Sequence, residues 1–233
     1  MANRFVLVHG AWHGAWCWHK LIPLLEAAGV RAIAPDLSSV PADSATPLED
    51  CARHVVGLLQ REPGSVLVGH SRGGAVISRA AELAPDHVRR LVYVAAYLLA
   101  DGQSVADAAR GDADSLITPN MVPVKRGLSC GIRREVLREV FYADCTDADF
   151  EFARARLVPE PIRALAAPIH VTPDRFGRVP RVYVETSRDR AVTLAAQRQM
   201  QSALPCTPVH TLDSDHSPFL SQPEALARIL ISI

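Results

Sequence analysis

A short apolar run, Val66-Leu67-Val68, passes into Gly69-His70-Ser71-Arg72-Gly73-Gly74-Ala75-Val76, and this order constrains the chain more than any other stretch. A strand that turns at once into a helix leaves room for one sharp bend. The residue at the bend takes a strained backbone conformation, and its side chain is lifted clear of the sheet. Gly69 and Gly73 lack a Cβ, so the strand and the helix can approach closely around Ser71. Gly-x-Ser-x-Gly occurs by chance in many loops. Placed between a buried strand and a small-residue helix, it marks Ser71 as a candidate nucleophile. The alternative is an ordinary serine capping the helix.

The rest of the chain alternates in the same sense. Residues 5–8, 30–34, 66–68 and 88–94 read as buried strands, and 180–184 and 208–212 as weaker ones. Helical patterns occupy 15–28, 47–62, 190–203 and 222–231, the first with Trp18, Leu21, Leu24 and Leu25 on one face. Thr46 is placed to cap the helix that opens at Pro47. Continuous apolar strands separated by helices predict an α/β fold: a mostly parallel sheet of about six strands with helices on both faces. The rhythm fails between residues 97 and 178, where helical pieces near 132–141 and 147–157 lie among Pro and Asp residues. A structureless loop of that length is improbable in a compact domain. The expectation is a core of residues 1–96 and 179–233, with 97–178 inserted as a mainly helical cap.

Of 233 residues, 48% are hydrophobic, enough for a substantial core, and the formal net charge is zero. That balance argues against nucleic acid or an anionic membrane as partner. The N-terminus enters a strand pattern without the apolar core of a signal peptide, and no run reaches transmembrane length. Five scattered cysteines (Cys17, Cys51, Cys130, Cys145, Cys206) form no metal-type spacing. They read as reduced thiols in a cytoplasmic protein. Neither a metal nor a cofactor is expected.

A serine needs a base, and the base needs an acid to hold its tautomer. Among nine histidines, His216 follows the last apparent strand and precedes the final helix, at the sheet edge where ligands bind. His70 lies within the turn and is expected to point elsewhere. His9 and Gly10 are expected to brace the loop after the first strand. Asp189 follows the strand 181–184 and is the acid of choice. Glu185 is its rival, and Asp213 and Asp215 are read as turn residues. The oxyanion donors expected are the backbone N–H groups of Arg72, next to the nucleophile, and of Ala11, in the loop His9-Gly10-Ala11-Trp12-His13-Gly14. The Arg72 side chain is given no role beyond a surface or cap-facing ion pair. Trp16 and Trp18 read as packing, while Trp12 and Phe219 are candidate walls of the substrate pocket.

These residues carry a family resemblance. Phe5-Val6-Leu7-Val8-His9-Gly10-Ala11-Trp12-His13-Gly14, Leu24-Leu25-Glu26-Ala27-Ala28-Gly29 and Pro35-Asp36-Leu37 resemble the start of the plant methylesterase and hydroxynitrile lyase group and its bacterial relatives. Asp174-Arg175-Phe176-Gly177, Arg181-Val182-Tyr183-Val184 and Asp215-His216-Ser217-Pro218-Phe219-Leu220 are similar to its later motifs. The resemblance spans nearly the whole chain and is weakest at 100–145. It implies an α/β-hydrolase fold in which the strand ending at Ser71 neighbours the strand ending at His9. It also implies a helical cap, a triad of Ser71, Asp189 and His216, and oxyanion donors at Ala11 and Arg72. A homodimer is compatible with it. The group's lyases place threonine where Ala11 stands and lysine where Ser217 stands, so cleavage of hydroxynitriles is disfavoured. The activity expected is hydrolysis of small, rather hydrophobic esters, aryl or methyl esters by resemblance alone. The alternatives are a hydroxynitrile lyase, or a ligand-binding receptor on a hydrolase scaffold. Arg72 departs from the long apolar residue that the group's esterases carry after the nucleophile.

Overall fold

A computed structural model describes residues 4–41 and 43–233. Six strands form one parallel sheet: β1 (Arg4–Val8), β2 (Arg31–Ile33), β3 (Ser65–His70), β4 (Val88–Val94), and two after residue 180. Those two are Arg181–Thr186 and Val209–Leu212, which become β8 and β9 once the intervening strands are counted. The spatial order is β2-β1-β3-β4-β8-β9. Every residue of β3 is buried, as a parallel strand covered on both faces requires. Between the strands run α1 (Leu21–Ala27), α2 (Pro47–Arg61) and α3 (Gly73–Leu83). Helices α2 and α3 pack together, and α1 packs with the C-terminal helix, so two helical pairs flank the sheet.

The order reverses between β1 and β3: the chain runs outward from β1 to β2, returns to β3, and then moves outward the other way. Such a switch point opens a crevice beyond the carboxyl ends of the two strands. Here those ends lead into the loop after Val8 and into the turn at Ser71, with Val8 in register with Gly69. The topology thus fixes where a ligand would sit before any side chain is considered.

Between β4 and β8 the chain forms α4 (Val105–Gly111), α5 (Ile117–Asn120), β5 (Met121–Val124), β6 (Ser129–Ile132), α6 (Leu137–Phe141), α7 (Asp147–Arg154), β7 (Glu160–Pro161) and α8 (Ile162–Ala166). Strands β5, β6 and β7 pair antiparallel as a second, small sheet, which periodicity did not reveal. After β8 come α9 (Leu194–Ala203), then β9, α10 (Pro218–Ser221) and α11 (Pro223–Ser232). Among the described residues no helix is long and apolar enough to cross a membrane.

One helix read as continuous, 15–28, is broken, and a proline accounts for it. A 3₁₀ turn at Ala15–Trp18 ends before α1, whose first turn contains Pro23. A helix begun at residue 15 would set the Pro23 ring against the carbonyl of His19. Restarting at Leu21 puts proline where its missing N–H costs nothing. The pattern at 222–231 is a helix, α11, which starts at Pro223, and that proline forces Gln222 out of helical geometry (φ −140°, ψ 51°). Thr46 precedes α2 as expected, yet its side chain does not cap the helix. Its hydroxyl donates instead to the Asp50 carboxylate at 3.3 Å.

Candidate active site

Ser71 sits at the tip of the β3–α3 turn with φ of +52°, the left-handed region that a residue with a Cβ avoids. Backbone hydrogen bonds hold it there. Its N–H donates to Val94 at 3.3 Å, and its carbonyl accepts from Gly74 and Tyr97 at 3.0 Å each. The glycines around it leave no room for side chains. A Cβ on Gly73 would lie 2.5 Å from the Val8 carbonyl oxygen, and one on Gly69 would lie 2.7 Å from that of Gly73. Gly10, in the facing loop, would place a Cβ 2.8 Å from that of Ser71. The turn that carries Ser71 is therefore packed closely against the end of β1 and the loop after it.

His216 lies beyond β9, and its Nδ1–H donates to Asp189 Oδ2 at 2.7 Å. The Asp189 carboxylate is fixed from every side. Oδ1 accepts the N–H groups of Ala191 and Val192 at 2.7 and 2.9 Å, and Oδ2 also accepts the Thr186 hydroxyl at 2.9 Å. With the proton on Nδ1, the Nε2 lone pair of His216 is left to act as a base. Glu185 faces away from this arrangement: Arg198, Gln201 and Thr211 all donate to it. Burial pushes its pKa up, but those donors outweigh burial and hold it below the ordinary value. Asp213 pairs with Arg188 at the surface. Asp215 is buried and accepts from the Asp144 and Ser217 amides at 2.9 and 3.1 Å, bracing the loop that carries His216.

His70 does not point away from the site. Its Nε2–H donates to the backbone carbonyl of His216 at 2.8 Å, and the two rings lie 4.5 Å apart. Burial pushes its pKa well below the ordinary value, so the ring is neutral with its proton on Nε2. This support for the candidate base was missed in the sequence, where His70 is merely the neighbour of Ser71. The contact spans 146 positions.

The loop after β1 is braced along its length. His9 donates from Nδ1 to the Gly10 carbonyl at 2.9 Å and accepts the Leu37 amide on Nε2 at 2.9 Å. His13 donates from Nδ1 to the Ala11 carbonyl at 2.7 Å and accepts the Tyr142 hydroxyl on Nε2 at 2.8 Å. Burial holds both rings neutral, pushing His9 down to about 4 and His13 to about 3. Among the described residues, the backbone N–H groups of Ala11 and Arg72 donate to no protein acceptor. Buried amides without a partner are rare in folded proteins, and here both belong to residues that line one cavity with Ser71.

Ser71, Ala11, Trp12 and Tyr97 open on a cavity of about 320 Å³. Its far walls come from α4, α5 and α8 and from Ala191 and Val192, with Val105, Ala109, Ile117 and Leu165 making it largely apolar. Trp12 lines this cavity. Phe219 does not. It is fully buried behind the site, 4.9 Å from the His70 ring and 5.3 Å from Trp18, because α10 turns it inward onto the histidine cluster. The Arg72 side chain is also buried. Only 2% exposed, it turns toward β7, where its Nε lies 3.0 Å from Glu160 Oε1.

Residues 5–229 match the family model described as the alpha/beta hydrolase family. The chain is 35% identical over 239 residues to a pyrethroid hydrolase of Sphingobium wenxiniae, covering 97% of this chain and 85% of that one. It is 32% identical over 248 residues to a chloroplastic protein of the methylesterase series of Arabidopsis thaliana, covering 99% of this chain and spanning 56% of that relative's length. The crystal structure of a pyrethroid hydrolase from Sphingobium faniae superposes with a TM-score of 0.85 at 33% identity, covering 100% of this chain and 97% of that one.

Proposed function

Because the chain belongs to the alpha/beta hydrolase family, we propose that it is a serine carboxylic-ester hydrolase acting on small, rather hydrophobic esters. The observation that carries this reading is the placement of Ser71, strained at φ +52° and opening on an apolar cavity beside two unpartnered amides. His216 Nε2 takes the Ser71 proton as Oγ attacks the ester carbonyl, and Asp189 stabilises the imidazolium that forms. The amides of Ala11 and Arg72 receive the developing oxyanion. Collapse of the tetrahedral intermediate expels the alcohol, protonated by His216. Water then attacks the acyl-enzyme with His216 again as base. Residues 97–178 act as the cap that closes the cavity and supplies its aliphatic wall. The methylesterase and pyrethroid hydrolase relatives support an ester as substrate, and the low polarity of the wall supports an apolar acyl group.

Hydroxynitrile cleavage has less to support it. Ala11 offers no hydroxyl, and Ser217 is buried and brings no positive charge beside His216 to meet a departing cyanide. The test is hydrolysis of a panel of p-nitrophenyl and methyl aryl esters by wild type and Ser71→Ala. Ser71-dependent multiple turnover is expected. A folded protein with no turnover, or a Ser71→Ala variant that keeps it, overturns the mechanism. Mandelonitrile cleavage and ligand binding are then the assays that separate lyase from receptor.

A further inference from the structure

Trp12 is the residue that follows the Ala11 amide in the loop after β1, and it too is strained, with φ of +62°. All three of its backbone and indole hydrogen-bonding groups are taken up by residues between 130 and 160. Its N–H donates to Glu160 Oε2 at 3.2 Å, and its carbonyl accepts the Val158 N–H at 2.9 Å. Its indole Nε1–H donates to the Cys130 carbonyl at 3.0 Å. Cys130 and Glu160 are themselves partners in register across β6 and β7. The same peptide unit is gripped at its other end, where His13 donates to the Ala11 carbonyl. A peptide bond held by both its oxygen and its nitrogen cannot rotate to relieve the strain at Trp12.

The acceptor on the nitrogen side is unusual. Glu160 is buried, and its second oxygen meets the Arg72 guanidinium, buried in turn. A buried ion pair is poor value for stability, because two apolar side chains of similar size would serve as well or better. Its presence calls for another reason. Arg72 follows the nucleophile and Trp12 follows Ala11, so one carboxylate ties together the two segments that carry the oxyanion donors.

We propose that Glu160 is a positioning residue for ester hydrolysis: its carboxylate, bridging the Arg72 guanidinium and the Trp12 amide, holds the two oxyanion-donor segments in register. This rests on the hydrolase reading of Ser71. It follows that seating β7 against the core assembles the oxyanion site, and that the site is incomplete when that strand lifts.

The experiment compares wild type with Arg72→Leu/Glu160→Leu and Arg72→Leu/Glu160→Gln. The leucine pair removes the buried charges and the acceptor together, while keeping the Arg72 backbone N–H. The glutamine variant removes the charges but keeps a carbonyl oxygen for Trp12. Thermal midpoints, kcat and KM are measured on a p-nitrophenyl ester. For the leucine pair we expect a thermal midpoint at or above wild type, KM near wild type and kcat about 10- to 100-fold lower, the scale of a small misplacement of catalytic groups. The glutamine variant should regain a large part of that loss. A leucine pair that folds and keeps the wild-type kcat, or a glutamine variant as slow as the leucine pair, overturns the positioning role. If the leucine pair does not fold, Arg72→Met/Glu160→Met replaces it in the same comparison. Wild type without Ser71-dependent turnover overturns the hydrolase reading and this one with it. Wild-type turnover with an undiminished leucine pair overturns this one alone.

Discussion

Replacing Asp189 by asparagine changes one atom, and the structure dictates which way the new amide must face. Oδ1 accepts two backbone N–H groups, from Ala191 at 2.7 Å and Val192 at 2.9 Å. Oδ2 accepts the Thr186 hydroxyl and the His216 Nδ1–H, and more distantly, at 3.4 Å, the Gln197 Nε2–H, which also has the Thr186 and Val192 carbonyls as acceptors. Asparagine has only one oxygen. Placing its NH₂ on the Oδ1 side would strand two buried amide donors, at about 1–3 kcal/mol each, and would press donor against donor. Placing it on the Oδ2 side costs less, because the Thr186 hydroxyl can rotate and accept. The second orientation therefore wins, by at most about 2–6 kcal/mol on the same scale. In that orientation the NH₂ donates to His216 Nδ1, which drives the imidazole proton onto Nε2. A protonated Nε2 cannot take the Ser71 proton, and the imidazolium would have no counter-charge. The expected loss in kcat/KM is about 10⁴-fold, or about 5.4 kcal/mol of transition-state stabilisation. Initial rates on a p-nitrophenyl ester measure it, with circular dichroism and thermal melting as checks on folding. Glu185→Gln is the matched control, since Glu185 is held by Arg198 outside the site. An Asp189→Asn variant within tenfold of wild type, or a Glu185→Gln variant equally impaired, would refute the assignment of the acid.

Gly10→Ala should cost at least about 100-fold in kcat, because its Cβ would lie 2.8 Å from that of Ser71 and must displace the serine or the loop. The rate of Ser71 labelling by a fluorophosphonate reads this directly. His9, His13 and His70 are buried and neutral, with native pKa values of about 4, about 3 and well below 6.5. The unfolded chain takes up protons on them as pH falls through about 6.5 while the native chain does not, so stability falls with pH until the native values are reached. Each contributes up to about 1.4 kcal/mol per pH unit in that window. Urea unfolding at several pH values from neutral to mildly acidic checks this, and a flat profile would contradict the burial of the three rings. Ala109→Phe places a ring in the aliphatic wall of the cavity. The ratio of kcat/KM for a hexanoate over an acetate ester should fall about tenfold or more, and an unaltered ratio would show that the acyl chain lies elsewhere.

What could be read from the sequence was local. The turn at Ser71 announces itself because strand, bend and helix are adjacent, and the strands flanking it are plain apolar runs. Asp189 and His216 each follow a strand, so topology alone brings them to the same edge of the sheet. The small sheet left no such trace. Pro123 and Gly131 interrupt β5 and β6, and β7 is only two residues long, too short to have a period. The supports of the site were hidden for a different reason. Glu160 reaches the Trp12 amide across 148 positions and His70 reaches His216 across 146. No spacing rule links residues so far apart. Phe219 was misplaced because a bulky residue near a base looks the same in sequence whether it faces the substrate or the core. The break before α1 was legible in retrospect, since Pro23 stands inside the pattern read as one helix.

The proposed reacting groups are not anchored equally. Ser71 hangs from β3, wholly buried between β1 and β4 near the middle of the sheet, where amides exchange with solvent only when the whole fold opens. His216 hangs from β9, a four-residue strand at the outer margin with Val209 and Thr211 exposed, where fraying is cheapest. Warming should therefore disconnect the base while the serine still sits in native surroundings. Heat would silence the chain first through a local loosening at one border of the sheet, below the temperature at which the three tryptophans report any melting. That loss should reverse on cooling, and thermal robustness would be gained more readily by stitching down that border than by improving a core that is already closed.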